Sequence, residues 1–336
     1  MNVDESQKSA ALRKQEAHLQ DASQEGTYYT NCVAGSKEVA RLMNVSSLGK
    51  NVENSRDVDF YYSFDFAQQV HYPSNPLQPG PIYFKTPRKC QLFGVNAEGL
   101  PQQINYMVDE SVSCGKGANQ VISMLHHFLK HYGIGEMHLC LHADNCSGQN
   151  KNNAMLHYLC WRCLTGRHTS AQISFMMAGH TKFSCDWCFG LVKRLFRRTS
   201  VSCLEDICDV VRQSTAISGI NIPQLVGDQS GKVLVCTYDW TAFLKTYFVT
   251  VSAVKQKHHF RFEAASPGVV FTKERVSSCE QQQIILKKEI PHDAFPKQII
   301  PAGFSRDRQI YLFEQIREFC SDATKDLVCP KPPFMK

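Results

Sequence analysis

The spacing of hydrophobic and polar positions changes several times along the chain, and each change predicts an element. From Arg56, the run RDVDFYYSFDFAQQV carries five aromatic residues and three Val or Ala, which suits a buried strand. HYPSNPLQPGP follows, with four prolines and a glycine, and reads as an irregular loop. IYFKTPRKCQLFGV predicts a second strand interrupted at Pro87, NAEGLP a turn, and QQINYMVDES a third strand. Three strands on short connections imply an antiparallel meander.

The period then lengthens. Val121, Leu125, Phe128, Leu129 and Tyr132 fall on one helical face between Gly117 and Gly133. EMHLCLHAD alternates as a strand, and NCSGQNKN is a polar loop. AMLHYLCWRCLTG is a helix with Met155, Leu156, Leu159, Cys160, Cys163 and Leu164 inward, and AQISFMMAG is a buried strand. TKFSCDWCFGLVKRLFRR closes the series as a helix, with Phe183, Trp187, Leu191 and Leu195 at fourfold steps. The order β-β-β-α-β-α-β-α predicts an α/β fold with a mixed sheet flanked by helices. Beyond Arg198 the pattern is less regular. GKVLVCTYDWTAFL, YFVTVSAV, HHFRFEA and GVVFTKE read as short strands, and IYLFEQIREFC as a terminal helix. Residues 1–50, rich in Ala, Lys, Gln, Glu and Ser, read as a helical lead-in without a core of its own, or as a frayed tail.

Composition narrows this picture. With 43% hydrophobic and 20% charged residues among 336, disorder along most of the chain is excluded. No apolar run reaches membrane-span length, and the polar opening MNVDESQKSAALRKQEAHLQ disfavours a secretory route. The 15 cysteines then read as reduced thiols or metal ligands in the cytosol or nucleus. A net charge of +6 permits a nucleic-acid partner without arguing for one.

Three acids stand out. Asp65 interrupts the first strand, Asp144 ends the fourth, and Asp186 sits in the closing helix. A charge inside an apolar strand is costly unless it is paired or binds metal. If the first and fourth strands are neighbours, Asp65 and Asp144 lie side by side, and a helix on that edge brings Asp186 near. Three converging carboxylates repel, and two Mg²⁺ or Mn²⁺ ions would relieve that repulsion while activating a water or a 3′-hydroxyl. Taken singly, each acid has a plainer reading as a strand end, an Asx turn or a solvated helix residue.

The motifs around these acids are Ser63-Phe64-Asp65-Phe66, Asp144-Asn145-Cys146-Ser147-Gly148-Gln149-Asn150-Lys151-Asn152, and Gly179-His180-Thr181 followed by Asp186. In them the chain resembles the DDE/D transposase superfamily, and most of all a transposon-derived group of animal proteins, across roughly residues 56–320. The resemblance implies a five-stranded ribonuclease H-like core over 56–200. Before it come residues 1–55, helical and partly disordered, and after it a β-rich region over 201–336. It also implies Asp65, Asp144 and Asp186 as catalytic metal ligands, a DNA substrate and a nuclear location, and it is compatible with a homo-oligomer. Asn145, Asn150, Lys151 and His180 would contact phosphate or metal-bound water. The sequence departs from the family pattern at Lys182 and Ser184, where a His and an acid are expected, and no DNA-binding module precedes residue 56. These departures favour the other reading, a catalytically silent DNA- or protein-binding scaffold with the same fold.

Two further patterns bear on the site. Lys193 and Arg197 lie seven and eleven positions after Asp186, on its helix face, where a phosphate backbone would meet them. A second basic run, Lys255, Lys257, His258, His259 and Arg261, alternates with Phe260 and Phe262 and fits an ordinary strand equally well. Cys160-x₂-Cys163 and Cys185-x₂-Cys188 have the look of a zinc signature. Their apolar helical settings argue instead for thiols packed as small hydrophobes.

Overall fold

The computed structural model describes residues 5–77, 80–177 and 184–335, the side chains of Glu5 and Ser6 excepted. The chain opens with α1 (Glu5–Leu42), then β1 (Arg56–Phe66), β2 (Val70–Tyr72) and the single turn α2 (Gly80–Tyr83), and returns in β3 (Arg88–Ala97) and β4 (Gln102–Asp109). Alternating units follow: α3 (Ala118–His131), β5 (Glu136–Ala143), α4 (Asn153–Leu164), β6 (Ser170–Phe175) and α5 (Ser184–Phe196). The last third holds α6 (Leu204–Gln213), β7 (Asn221–Leu225), β8 (Thr237–Tyr238), α7 (Trp240–Tyr247), β9 (His259–Glu263), β10 (Val269–Lys273) and β11 (Gln281–Ile284). It ends in β12 (Gln298–Ile299), α8 (Arg306–Tyr311) and α9 (Lys325–Val328).

β1 stands at the centre. It pairs antiparallel with β3 and parallel with β5; β3 pairs antiparallel with β4, and β5 parallel with β6. The five strands therefore run in the order β4-β3-β1-β5-β6 with only β3 reversed, the mixed α/β arrangement expected of a ribonuclease H-like core. They form the middle of a larger sheet of ten strands. β9, β10 and β11 extend it beyond β6, and β7 extends it beyond β4, so the C-terminal β-rich region continues the central sheet at both edges.

Alternation along the strands gives the sheet two unlike faces. Phe60, Tyr62 and Phe64 of β1 join Leu139, Leu141, Ile173 and Phe260 in the main core, beneath α3, α4 and α7. The opposite face carries Tyr61, Ser63, Cys140, His142, Gln172, Ser174 and His259 in matching register. The second half of α1 covers this polar face with a narrow stripe of Ala22, Glu25, Cys32 and Ser36. Farther along, where Leu92 and Met107 make the same face apolar, α5 and α6 pack with Val192, Leu204, Ile207 and Val211.

The lead-in is helical, as expected: one unbroken helix of 38 residues, exposed from Gln7 to Glu16 and docked from Asp21 onward. Two expectations in the C-terminal region are corrected. TYDWTAFL is mostly helical: Asp239 caps α7 by accepting from Ala242 N at 3.2 Å, and Trp240 and Leu244, four apart, are buried. YFVTVSAV forms no named strand and contributes one isolated bridge, Phe248 to Leu286. No helix among the described residues is long and apolar enough to cross a membrane.

A candidate carboxylate site beside a basic groove

β1 and β5 run parallel with Ser63 opposite His142, and the same register carried two residues on sets Asp65 opposite Asp144. On the other side Asp65 pairs with Gly94 of β3. Gly94 has a steric role, because a Cβ there would meet Gln103 Nε2 and Phe189 Cζ, both at 2.7 Å. Its absence lets α5 lie close on the sheet beside Asp65. Cys185 and Cys188 face inward on α5, and Cys185 Sγ reaches Ser63 O at 3.3 Å. The buried stripe of α5 is thus Cys185, Cys188, Phe189 and Val192. The expected stripe is corrected: Trp187 is 56% exposed, Leu191 and Leu195 are only partly buried, and Phe183 lies outside the described residues. Small thiols beside a glycine give the closer approach, and closer packing decides which face turns in.

That rotation leaves Asp186 on the outer edge of the helix, exposed. Asp65 is half-buried. Burial foremost, then the negative charges of Asp144 and Asp186, push its carboxyl up to about 7, against a hydrogen bond from the Phe66 amide. The three acids are therefore brought within electrostatic reach of one another. Among the described residues, no three His, Cys, Asp or Glu side chains are drawn to a common metal-ligand spacing.

Asp144 is held by the loop that follows it. Its Oδ1 accepts from Cys146 N at 3.1 Å and from Asn150 Nδ2 at 2.6 Å, while Oδ2 has no protein donor among the described residues. Asn152 caps α4 by accepting from Met155 N at 3.1 Å, and its Nδ2 donates to Ser147 O and Gln149 O. Lys151 is buried, donates to Asn145 Oδ1 at 2.9 Å and to Lys255 O at 3.3 Å, and is lowered by desolvation to about 8. Asn145 in turn donates to Met176 O. Asn145, Asn150 and Lys151, expected as phosphate or water contacts, are thus engaged in folding this loop and positioning Asp144. His180, with Gly179 and Thr181, lies outside the described residues.

Lys193 and Arg197 share the face of Asp186, as expected, and all three line a groove of about 1320 Å³ between α5, the β1–β2 turn and the segment before β3. Lys193 Nζ donates to Gln68 Oε1 at 2.8 Å. Sequence reasoning missed the rest of the wall, which includes His71, Lys85, Glu318 and Phe319. No local pattern joins residue 85 to residue 318; a salt bridge of 2.8 Å does. It also missed Glu98, buried at the β3–β4 turn, which accepts from Tyr29 OH and Ser184 Oγ, each at 2.6 Å, and so ties α1 to the start of α5. The second basic run is dispersed: Lys257 and His258 are buried, and Arg261 pairs with Glu263 and Glu280.

The two CxxC pairs lie on opposite faces of the sheet. Cys160 and Cys163 belong to the main core under α4, whereas Cys185 packs on the polar face. Four thiols divided by a β-sheet cannot share one tetrahedral centre with sulfur about 2.3 Å from the ion.

A family model described as "Domain of unknown function (DUF7869)" matches residues 85–279, more than half of the chain. The chain belongs to this family. No curated protein and no solved structure matches it. The DUF7869 segment contains Asp144, Asp186, Lys193 and Arg197, while Asp65 precedes it on β1.

Proposed function

We propose that this chain is a transposase-derived domain that cleaves or transfers DNA phosphodiester bonds with Mg²⁺ or Mn²⁺, using Asp65, Asp144 and Asp186 as ligands. The observation that supports this reading most is the half-buried Asp65 carboxyl. It lies on β1 two residues past the Ser63–His142 pair, is raised by burial first and then by the charges of Asp144 and Asp186, and adjoins a groove with two lysines and an arginine. A cluster of hard carboxylate oxygens in which the charges of Asp144 and Asp186 act on a half-buried Asp65 fits a divalent cation. Such ions supply an activated attacking oxygen and stabilise the leaving one.

The chain's own residues have separate tasks under this reading. Asn150 and the Cys146 amide orient Asp144 so that Oδ2 faces the site. Gly94 and the α5 thiols bring Asp186 to the sheet end. Lys193 and Arg197 grip the phosphate backbone without regard to base sequence. A DNA substrate carries with it a nuclear location.

The test is nicking of supercoiled plasmid in Mn²⁺ by the full chain and by Asp144→Asn. Nicking by the first and at least a hundredfold less by the second is expected. Nicking that survives the substitution, or none from the unaltered chain, sinks the reading. DNA binding should also lose about two units of salt slope when Lys193 and Arg197 both become Ala. Retention of this binding without any nicking would favour the silent scaffold, to which the exposure of Asp186 lends support.

A further inference from the structure

We propose that Cys320 and Cys329 are a redox pair that closes into a reversible disulfide and thereby fixes the C-terminal wall of the groove. Both are free thiols, and their Sγ atoms lie 3.8 Å apart in hydrogen-bond contact. Bonded sulfurs lie about 2.05 Å apart, so a small shift closes the gap. The backbone leading to Cys329 is clamped, in part by Arg317 from the Cys320 segment. Arg317 donates to Cys329 O at 2.6 Å and to Lys325 O at 3.0 Å, and the buried Arg88 donates to Val328 O at 3.1 Å. Two thiols held in contact by arginines from different elements form a built pair.

The two sulfurs are unequal, and this assigns their roles. Cys320 is partly exposed, whereas Cys329 is fully buried. When Cys320 ionises, it accepts from the Cys329 S–H and feels the Arg317 charge, and both lower its pKa against the cost of burial. The Cys329 thiol is pushed up, by Cys320 first and by burial second. Cys320 is thus the attacking sulfur and Cys329 the resolving one.

The oxidant is a peroxide. The Cys320 thiolate attacks one oxygen of hydrogen peroxide, the O–O bond breaks, and hydroxide leaves to take up the thiol's proton as water. Cys320 is then a sulfenic acid. The Cys329 sulfur attacks the Cys320 sulfur, the S–O bond breaks, and the hydroxyl departs with the Cys329 proton as a second water. Two thiols have lost one electron each, and the peroxide has gained two.

The pair adjoins the groove. Glu318 and Phe319, immediately before Cys320, line it, and Lys85 reaches both, at 2.8 Å from Glu318 and 4.9 Å from the Phe319 ring centre. A disulfide anchors the segment that presents these two side chains.

The experiment treats the full chain with equimolar hydrogen peroxide, blocks thiols with N-ethylmaleimide and digests with trypsin. Cleavage after Arg317 and Lys325 separates Cys320 from Cys329, so a disulfide appears as Glu318–Lys325 joined to Asp326–Lys336. This species should form ahead of other cysteine oxidation and revert with dithiothreitol. In Cys329→Ser, Cys320 should stop as a sulfenic acid trapped by dimedone; in Cys320→Ser, Cys329 should stay unmodified. Native-state cleavage after Lys325 should slow about tenfold in the oxidised chain. Recovery of both peptides separately blocked while other cysteines are oxidised overturns the pair. Equal oxidation of Cys329 in Cys320→Ser overturns the roles, and an unchanged cleavage rate overturns the fixing of the wall.

Discussion

The two faces of the central sheet carry adjacent rows of opposite character. Phe60, Leu139, Ala171 and Phe262 form one row across four strands, and Tyr62, Leu141, Ile173 and Phe260 the next, all of them buried. Turned the other way, Tyr61, Cys140, Gln172 and Arg261 form a row, and so do Ser63, His142, Ser174 and His259. The apolar rows bear the stability. The polar rows lead along the same face to Asp65 and Asp144. His142 shows what that face costs: it is fully buried among Tyr28, Tyr29 and Tyr61, neither ring nitrogen has a hydrogen-bond partner among the described residues, and burial lowers its pKa to about 3. The difference teaches that a site of this kind is built by giving up packing on one side of a sheet whose other side is packed well enough to bear it.

Neighbouring residues of β1 offer the sharpest way to break this comparison. Phe64, fully buried on the apolar face, should cost about 3–5 kcal/mol when changed to Ala, seen as a lower denaturation midpoint at unchanged slope. A loss under about 1 kcal/mol would remove the distinction between the faces.

Asp65, one position on, should behave in the opposite sense. Its carboxyl is raised to about 7, so the folded state holds the proton more tightly than the unfolded state does. Stability should therefore fall as pH rises from about 4 through about 7, and Asp65→Asn should be more stable than the unaltered chain by about 2–4 kcal/mol at pH 8 and equal to it at pH 4. Thermal melts across that range decide this, and Mn²⁺ should narrow the gap at pH 8 by stabilising only the chain that keeps Asp65. A parallel pH dependence for the two proteins would show that Asp65 is not raised.

The smallest effect is expected in the loop. Asn150→Ala removes the 2.6 Å bond to Asp144 and should cost about 1–2 kcal/mol, with faster amide exchange confined to residues 144–152. Exchange that stays unchanged there would deny Asn150 its positioning role.

Much of the fold was legible because period and alternation are local. FYYSFDF and HLCLHAD announce both faces of β1 and β5 in sequence, and Asp65 and Asp144 fall on the face that the alternation assigns them. The helix of Val121 and Leu125 was equally plain. What escaped depends on distant partners. Nothing in HFRFE or VVFTK says that they extend the edge at β6, because edge pairing leaves no periodic mark. The orientation of α5 is not legible because its large apolar residues form the stronger pattern in sequence, and the missing Cβ of Gly94 makes two thiols the closer fit. TYDWTAFL reads as a strand in sequence, although Asp239 stands where a helix cap belongs. In NCSGQNKN the residue types predict contacts to phosphate or metal-bound water, while the bonds of Asn150 and Lys151 close on Asp144 and on Asn145.

The docking of α1 has a consequence for how the chain is made. Asp21 pairs with Arg275, and Glu25 accepts from Val276 N and pairs with His259, contacts that span about three quarters of the sequence. At translation rates of 5–20 residues per second, the first helix leaves the ribosome on the order of tens of seconds before these partners exist. During that interval the surface it will cover is lined by hydroxyl, amide and imidazole groups, which water solvates, so a half-made sheet presents little on that side for neighbouring nascent chains to adhere to. The apolar rows, by contrast, are covered by α3 and α4, which are synthesised among the very strands they protect.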